Sequence, residues 1–414
     1  MRPAGWLPLS SAARARSSRR CTSQVARDKS HVARGRSTLT PVRITDLLTP
    51  CVLVESTRVQ RNIDRMQGAA DSGGRRLRPH IKTHKSIALA RRQRAAGAHG
   101  LCCAKLGEAE VFAAEGFDDI RVAFPLNPVN VDRVVALLDH TRLSFIIDHA
   151  DVAREWSEAL RAARRAVDVL VKVDVGLHRC GIDPQAPDAA AFVTDIAGMP
   201  GFNFRGLLSH AGHAYGAASA AEAAQIARNE AVVLTALAGL VRERGVTVEE
   251  ISVGATPTAR FSAHMDGVTE LRPGNYIYYD RMQVALGAAS WDDCALTVLA
   301  RVVTTHAPDR IILDCGSKTL SSDQVRGPGQ QPGFGAVLQA LHSSAPDESL
   351  LVERLSEEHA IVKAAIPSAL RPGDRVRVVP NHSCVVSNLV DHVWLVDGDE
   401  VLERVEISAR GRIA

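Results

Sequence analysis

Between residues 77 and 273 short apolar runs alternate with helical patterns, and this regular alternation constrains the fold more than any other feature. The strand candidates are 77–82, 99–103, 119–123, 142–147, 167–173, 204–208, 249–252 and 269–273. Helical patterns at 86–96, 106–115, 129–139, 150–165, 186–198 and 218–244 lie between most of them. The link around Pro257–Met265 is shorter and less clear. Eight strands joined by crossovers predict an α/β fold, a (β/α)8 barrel of the TIM type, with an open doubly wound sheet as the alternative. Ahead of the alternation, Thr49–Val54 reads as a strand and Thr57–Ala70 as an amphipathic helix.

Beyond about residue 285 the texture changes. Apolar runs at 296–305, 310–314, 361–363, 375–380, 393–397 and 401–405 are separated by turns such as Arg371-Pro372-Gly373-Asp374. Short strands with little helix between them predict a separate, mainly β domain over 286–414, after a barrel over 41–285, with the strand at 49–55 joining the β domain. Arg326–Gly333 is a Gly/Pro/Gln loop with the composition of a mobile one. No repeat recurs at a fixed period.

Residues 1–40 carry eight Arg, one Lys and a single acid, Asp28, a net +8, so the remainder of a chain with net charge +4 carries −4. The body is therefore slightly acidic, which excludes a nucleic-acid surface. The basic tail has the composition of an organellar transit peptide, but equally of a disordered or translated upstream segment. No run approaches the roughly 20 apolar residues of a membrane span. The eight cysteines form no CxxC pair and most sit in apolar runs, which points to a reducing, cytoplasmic compartment, or an organelle if the tail is an import signal.

Barrel enzymes place their chemistry at the C-terminal ends of strands, and the unusual residues fall there. Lys82 lies in Arg78-Pro79-His80-Ile81-Lys82-Thr83-His84-Lys85, with Ser86 as the cap of the helix that Gly97 stops. A lysine crowded by cations and partly buried loses charge and can attack a carbonyl, although a solvated basic loop gives the same run of residues. His80 and His84 alternate with it if the strand continues. Asp174, His178 and Arg179 follow the fifth strand, and His210, His213 and Tyr215 the sixth. Arg179 either approaches a ligand or pairs with Asp174. Gly254-Ala255-Thr256-Pro257 and Pro273-Gly274-Asn275-Tyr276 follow strands seven and eight, where barrels frequently bind phosphate. A lysine facing a phosphate cradle across a barrel mouth is what pyridoxal 5'-phosphate needs. In the β domain His382-Ser383-Cys384 follows a strand. Extended backbone there turns His382 and Cys384 to one side, where they can share a metal ion whose open positions suit a Lewis acid. His359 is a further candidate neighbour, while Asp314, Cys315 and Gly316 read as structural.

The motifs RPHIKTHK, DVGLHRCG, SHAGHAYG, VGATPT, LRPGNYIYYD and PNHSCVVSNLVD stand in the order seen in the D-threonine aldolase and D-serine dehydratase family. The chain resembles these fold-type III pyridoxal-phosphate enzymes, relatives of alanine racemase, over roughly residues 45–410. The resemblance implies an N-terminal barrel, a C-terminal β domain, a homodimer and a small D-amino acid substrate. It implies that Lys82 carries the cofactor and that Gly254, Ala255, Thr256, Gly274, Asn275 and Tyr276 hold its phosphate. Arg179, His210 and Tyr215 are the further cofactor candidates. His382 and Cys384 would bind a divalent metal, zinc or manganese. Ala255 stands where relatives often carry Ser, which removes one hydroxyl contact.

The resemblance also implies two reactions on β-hydroxy D-amino acids: dehydration to a 2-oxo acid and ammonia, or retro-aldol cleavage to glycine and an aldehyde. The His-x-Cys pair and SHAGHAYG are closer to the dehydratase branch, and thiolate ligation favours zinc over magnesium or calcium. A racemase needs a second base, commonly a tyrosine of the β domain. The four tyrosines are Tyr215, Tyr276, Tyr278 and Tyr279, and none lies beyond residue 285. A non-catalytic pyridoxal-phosphate carrier consists of the barrel alone, which leaves the last 130 or so residues here without a purpose.

Overall fold

A computed structural model describes residues 41–325 and 331–414. The basic tail and most of the Arg326–Gly333 loop thus lie outside the described residues. Residues 41–414 form one compact unit containing two sheets.

The first sheet has eight parallel strands: Arg76–Leu77, Leu101–Cys103, Asp119–Pro125, Arg142–Ile147, Val167–Lys172, Phe202–Leu208, Glu250–Val253 and Glu270–Leu271. Its two ends meet through the His80–Cys102 bridge and the bonds from His99 N to Leu77 O and Cys102 N to Pro79 O, so the sheet closes into a barrel. An open doubly wound sheet is excluded. Crossover helices cover the outside, as their periodicity predicts. In Ala150–Ala163 the buried residues Ala153, Trp156 and Leu160 recur at helical spacing, and Trp156 Nε1 donates to Leu126 O at 2.8 Å. His149 caps that helix through Nδ1, and Arg164 ends it in a left-handed conformation at φ 54°.

The barrel interior is not wholly apolar. Glu270, fully buried, accepts Arg78 Nε at 2.8 Å and Ser252 Oγ at 2.6 Å and also pairs with Arg121. Arg121 Nη2 reaches Glu250 at 2.8 Å, Arg121 Nε reaches Ser144 Oγ at 2.9 Å, and Arg78 extends to Asp119. Inward positions of four strands, with Arg78 just beyond a fifth, therefore form one ionic layer.

The second sheet has nine strands, antiparallel except where Cys51–Glu55 runs parallel to His392–Asp397. Pairing of Leu296–Ala307 with both Arg310–Leu313 and Arg375–Val379 closes six of its strands into a second, smaller barrel. Cys51–Glu55 pairs with Leu296–Ala307, so the chain begins its described part in the sheet where it ends. The seven described cysteines are all unpaired, and no helix among the described residues is long and apolar enough to cross a membrane.

Several elements differ from the sequence reading. The first strand ends at Leu77, single backbone bonds continue as far as His80, and Ile81–Thr83 is a 3₁₀ turn. Lys82 therefore projects from a turn, and His80 and His84 do not alternate with it along a strand. The link around Pro257 is the helix Thr256–Ser262. Strands Ala336–Leu338 and Leu350–Leu355, and the helix Ser383–Leu389, were not anticipated.

Candidate active site

The C-terminal ends of the barrel strands and the start of helix Ser383–Leu389 enclose a cavity of about 240 Å³. Lys82, Arg179, His210, Tyr215, Gly254, Ala255, Thr256, Gly274, Asn275, His382 and Cys384 all line it. So do His80, Thr83, Lys172 and Arg272. Of the residues assigned by resemblance to cofactor or metal, only Tyr276 is not on its wall. The Tyr276 ring is fully buried and its hydroxyl accepts a hydrogen bond from Gln93 Nε2 at 2.9 Å, while Gln93 Oε1 meets His84 Nε2 at 3.1 Å. Tyr276 and His84 thus lock the lysine turn to helix Ile87–Ala95 rather than face a ligand. Ser86 sits at the cap position of that helix but makes no side-chain cap.

Two loops approach so closely that only glycine fits. A Cβ on Gly254 would stand 2.8 Å from Arg272 Cβ and carbonyl oxygen; one on Gly274 would stand 2.8 Å from His80 O and 2.9 Å from Thr83 Oγ1. His210 Nδ1 hydrogen-bonds the Gly254 carbonyl, and the Tyr215 hydroxyl is directed at Thr256.

Four cationic side chains, Lys82, Lys172, Arg179 and Arg272, line the cavity, and among the described residues no Asp or Glu does. Burial and then the charges of Lys82, Arg272 and Arg179 hold His80 well below the ordinary histidine range. His210 is lowered likewise by burial and by Lys82. Both rings are therefore neutral. Lys172, 4% exposed, donates to Val173 O at 2.8 Å, and burial chiefly lowers its pKa to about 8. Arg272 is held from below by Ser252 Oγ at 2.7 Å and by the carbonyls of Ser209 and Ser252. Arg179 has no ion-pair partner among the described residues; Asp174 instead pairs with His178 at 3.1 Å and accepts the Gly176 and His178 amides. His213 faces that Asp174 cluster outside the cavity, and neither His359 nor Asp314 reaches it.

The residues present fit pyridoxal phosphate. The cavity has cationic walls and an accessible amine, and three of its buried polar atoms, His80 Nδ1, Thr256 Oγ1 and Asn275 Oδ1, have no hydrogen-bond partner.

His382 and Cys384 do come together, though not on a strand. His382 occupies the extended cap position of helix Ser383–Leu389 and Cys384 lies in its first turn, and both side chains face the cavity. Asp280 makes this possible: its buried Oδ2 accepts Ser383 N at 3.0 Å and Asn275 Nδ2 at 2.6 Å. His382 Nδ1 meets Asp323 Oδ2 at 2.6 Å, a carboxylate contact that leaves Nε2 for another partner. Burial opposes charge on His382, but Cys384 and Asp323 outweigh it and raise its pKa to about 11; Cys384, buried, is lowered by His382. Among the described residues no three His, Cys, Asp or Glu groups are arranged around one point, so two protein donors are available there. An imidazole and a thiol whose pKa is lowered are a fit donor pair for zinc.

A closed barrel with a lysine at its mouth, backed by a β domain, defines the alanine-racemase type of fold. The family described as alanine racemase, N-terminal domain, matches residues 54–282, and the putative serine dehydratase domain matches residues 295–396. The chain belongs to the family that joins these two parts, the pyridoxal-phosphate-dependent D-serine dehydratase and D-threonine aldolase relatives of alanine racemase. A D-threonine aldolase of an Arthrobacter species is 33% identical over 371 residues, covering 88% of this chain and 93% of that protein. The D-serine dehydratase of Dictyostelium discoideum is 29% identical over 395 residues, covering 86% and 95%. The solved D-threo-3-hydroxyaspartate dehydratase of a Delftia species superposes with a TM-score of 0.83 at 30% identity, covering 88% and 98%. A variant of that dehydratase with one cysteine replaced by alanine has been solved in a metal-free form.

Proposed function

We propose that this chain is a pyridoxal-phosphate- and metal-dependent lyase that dehydrates a β-hydroxy D-amino acid, such as D-serine, to a 2-oxo acid and ammonia. The observation that carries the reading is the cavity itself, with Lys82 on one wall, His382 and Cys384 on another, four cations and no carboxylate between them. Lys82 would carry the cofactor, the Gly254–Thr256 and Gly274–Asn275 loops its phosphate, and Arg179, His210, Tyr215 and Arg272 its ring. His382 and Cys384 would hold a divalent cation. When bound, the cofactor supplies an electron sink at Cα and the cation a Lewis acid for the β-hydroxyl.

Each protein group then has one task. The Lys82 amine takes the Cα proton of the bound amino acid, and Arg179, with no ion-pair partner among the described residues, is available to a substrate carboxylate. The β-hydroxyl leaves on the His382–Cys384 side. Leu177, Leu208 and Met282 supply the apolar part of the wall. Retro-aldol cleavage is the second reading, favoured by the 33% identity to an aldolase. It requires a base for the hydroxyl proton; burial and nearby cations depress the basicity of His80 and His210 on the wall, and His382 is engaged by Asp323. Dehydration fits better. As in its relatives, the substrate is a small D-amino acid, and we read the chain as a homodimer with its barrel over 41–285 and its β domain over 286–414.

Purified protein loaded with pyridoxal phosphate and zinc is expected to release ammonia and a 2-oxo acid from D-serine. Chelation should stop this, and added zinc should restore it. Glycine and acetaldehyde from D-threonine would move the chain to the aldolase branch. L-serine as the product would overturn both readings.

A further inference from the structure

Three elements that bear the chemistry converge on one buried hydroxyl. Thr83 directly follows Lys82 in the 3₁₀ turn and is 0% exposed. Its Oγ1 lies 3.2 Å from Cys384 Sγ. The same oxygen stands 2.9 Å from where Gly274 would carry a Cβ, so the strand-eight loop packs against it. From that loop Asn275 Nδ2 reaches the Cys384 sulfur at 3.5 Å, Ser383 Oγ at 3.1 Å and Asp280 at 2.6 Å. The sulfur is therefore gripped by the residue after Lys82 and by the residue after Gly274, one from each of two loops that line the opposite end of the site.

We infer that Thr83 and Asn275 are positioning residues that couple the two halves of the site, so that a divalent cation on Cys384 and pyridoxal phosphate in the barrel mouth each tighten the binding of the other. The inference rests on the assignments of Lys82 and of His382 with Cys384 made above. Its physical basis is short. A sulfur bound to a cation has a fixed position and an acceptor lone pair aimed at Thr83 and Asn275. Those bonds fix the Lys82 turn and the Gly274 loop in the arrangement a cofactor requires, so ordering is done once rather than twice. Linkage makes the effect reciprocal.

The test is a binding experiment and needs no turnover. Cofactor-free full-length protein is titrated with pyridoxal phosphate, followed by absorbance, once with saturating zinc and once with chelator. Zinc affinity is measured with and without cofactor by competition with a chromophoric chelator. In the wild-type protein zinc is expected to tighten the cofactor on the order of tenfold, and cofactor to tighten zinc by the same factor. Thr83→Val keeps the shape but loses the hydroxyl, and should bind both ligands with most of that factor gone. Thr83→Ser should restore it. Zinc bound stoichiometrically with no change in cofactor affinity would overturn the coupling and leave the site assignment standing. No zinc bound at all would overturn the metal assignment and the coupling with it. Equal coupling in wild type and Thr83→Val would remove Thr83 from the path.

Discussion

Lys82→Ala is expected to lose the visible absorbance of the bound cofactor and to slow turnover at least about a thousandfold, the scale of a lost acid–base group. Two amines line the cavity, so the choice between them is physical. Burial lowers the basicity of Lys172 to about 8, which by itself would favour it as a nucleophile. But it is 4% exposed, donates to Val173 O at 2.8 Å and sits among barrel residues at the end of a strand, so its amine is held back in the wall. Lys82 projects from a turn, accessible to solvent within the cavity, and faces the Gly254 and Gly274 loops. Difference spectra of Lys82→Ala and Lys172→Ala, each loaded with pyridoxal phosphate, separate the two. Absorbance kept in the first and lost in the second would transfer the role to Lys172. The reverse leaves Lys172 a charge beneath the ligand, whose loss weakens cofactor binding without removing the band.

The sequence showed the barrel because a crossover strand and its helix each carry their own period, and the loops after strands seven and eight because only glycine tolerates such approach. What it hid has identifiable causes. Arg272 lies inside the LRPGNYIYYD motif, whose weight falls on its neighbours, and Lys172 ends the strand just before DVGLHRCG; a basic residue within the apolar run Val167–Val173 was the available signal. Helix Ser383–Leu389 is rich in Val and Ser, residues that favour strands or turns, and it forms because Asp280, more than a hundred residues away, accepts its first amide. That contact also underlies the His382–Cys384 pairing, since the extended backbone expected through Cys384 stops at His382. Tyr276 belonged to a phosphate-loop motif yet turns inward, since its hydroxyl finds Gln93 and a motif does not say which way a side chain points.

Glu270→Gln is expected to cost about 3–5 kcal/mol of stability, because it leaves Arg78 and Arg121 in the barrel interior without their shared counter-charge. Glu110→Gln is the control: its carboxylate meets Arg133 at 2.7 Å on the half-exposed surface, and its loss should cost about 0–1 kcal/mol. Urea midpoints of both variants against wild type decide it. Burial alone would raise the Glu270 pKa, but Arg121 and Arg78 outweigh burial and hold it below the ordinary carboxylate range. Its stabilisation is thus fully present above the unfolded value of about 4.3 and is lost as pH falls from there through the folded value. The gap between wild type and Glu270→Gln should accordingly be constant near neutrality and narrow only in acid. A loss under about 1 kcal/mol would mean that water reaches the layer and shares the charge. The placement has a functional logic. A cavity built for an anionic ligand cannot put carboxylates on its own wall without repelling that ligand, yet its cations still need balance. Ser252 Oγ donates to Glu270 and accepts from Arg272, and Glu230 accepts from Ser209 beside the same guanidinium. The acids thus stand one layer beneath the cavity floor, close enough to hold Arg272 in place and far enough to leave its outer face to the ligand.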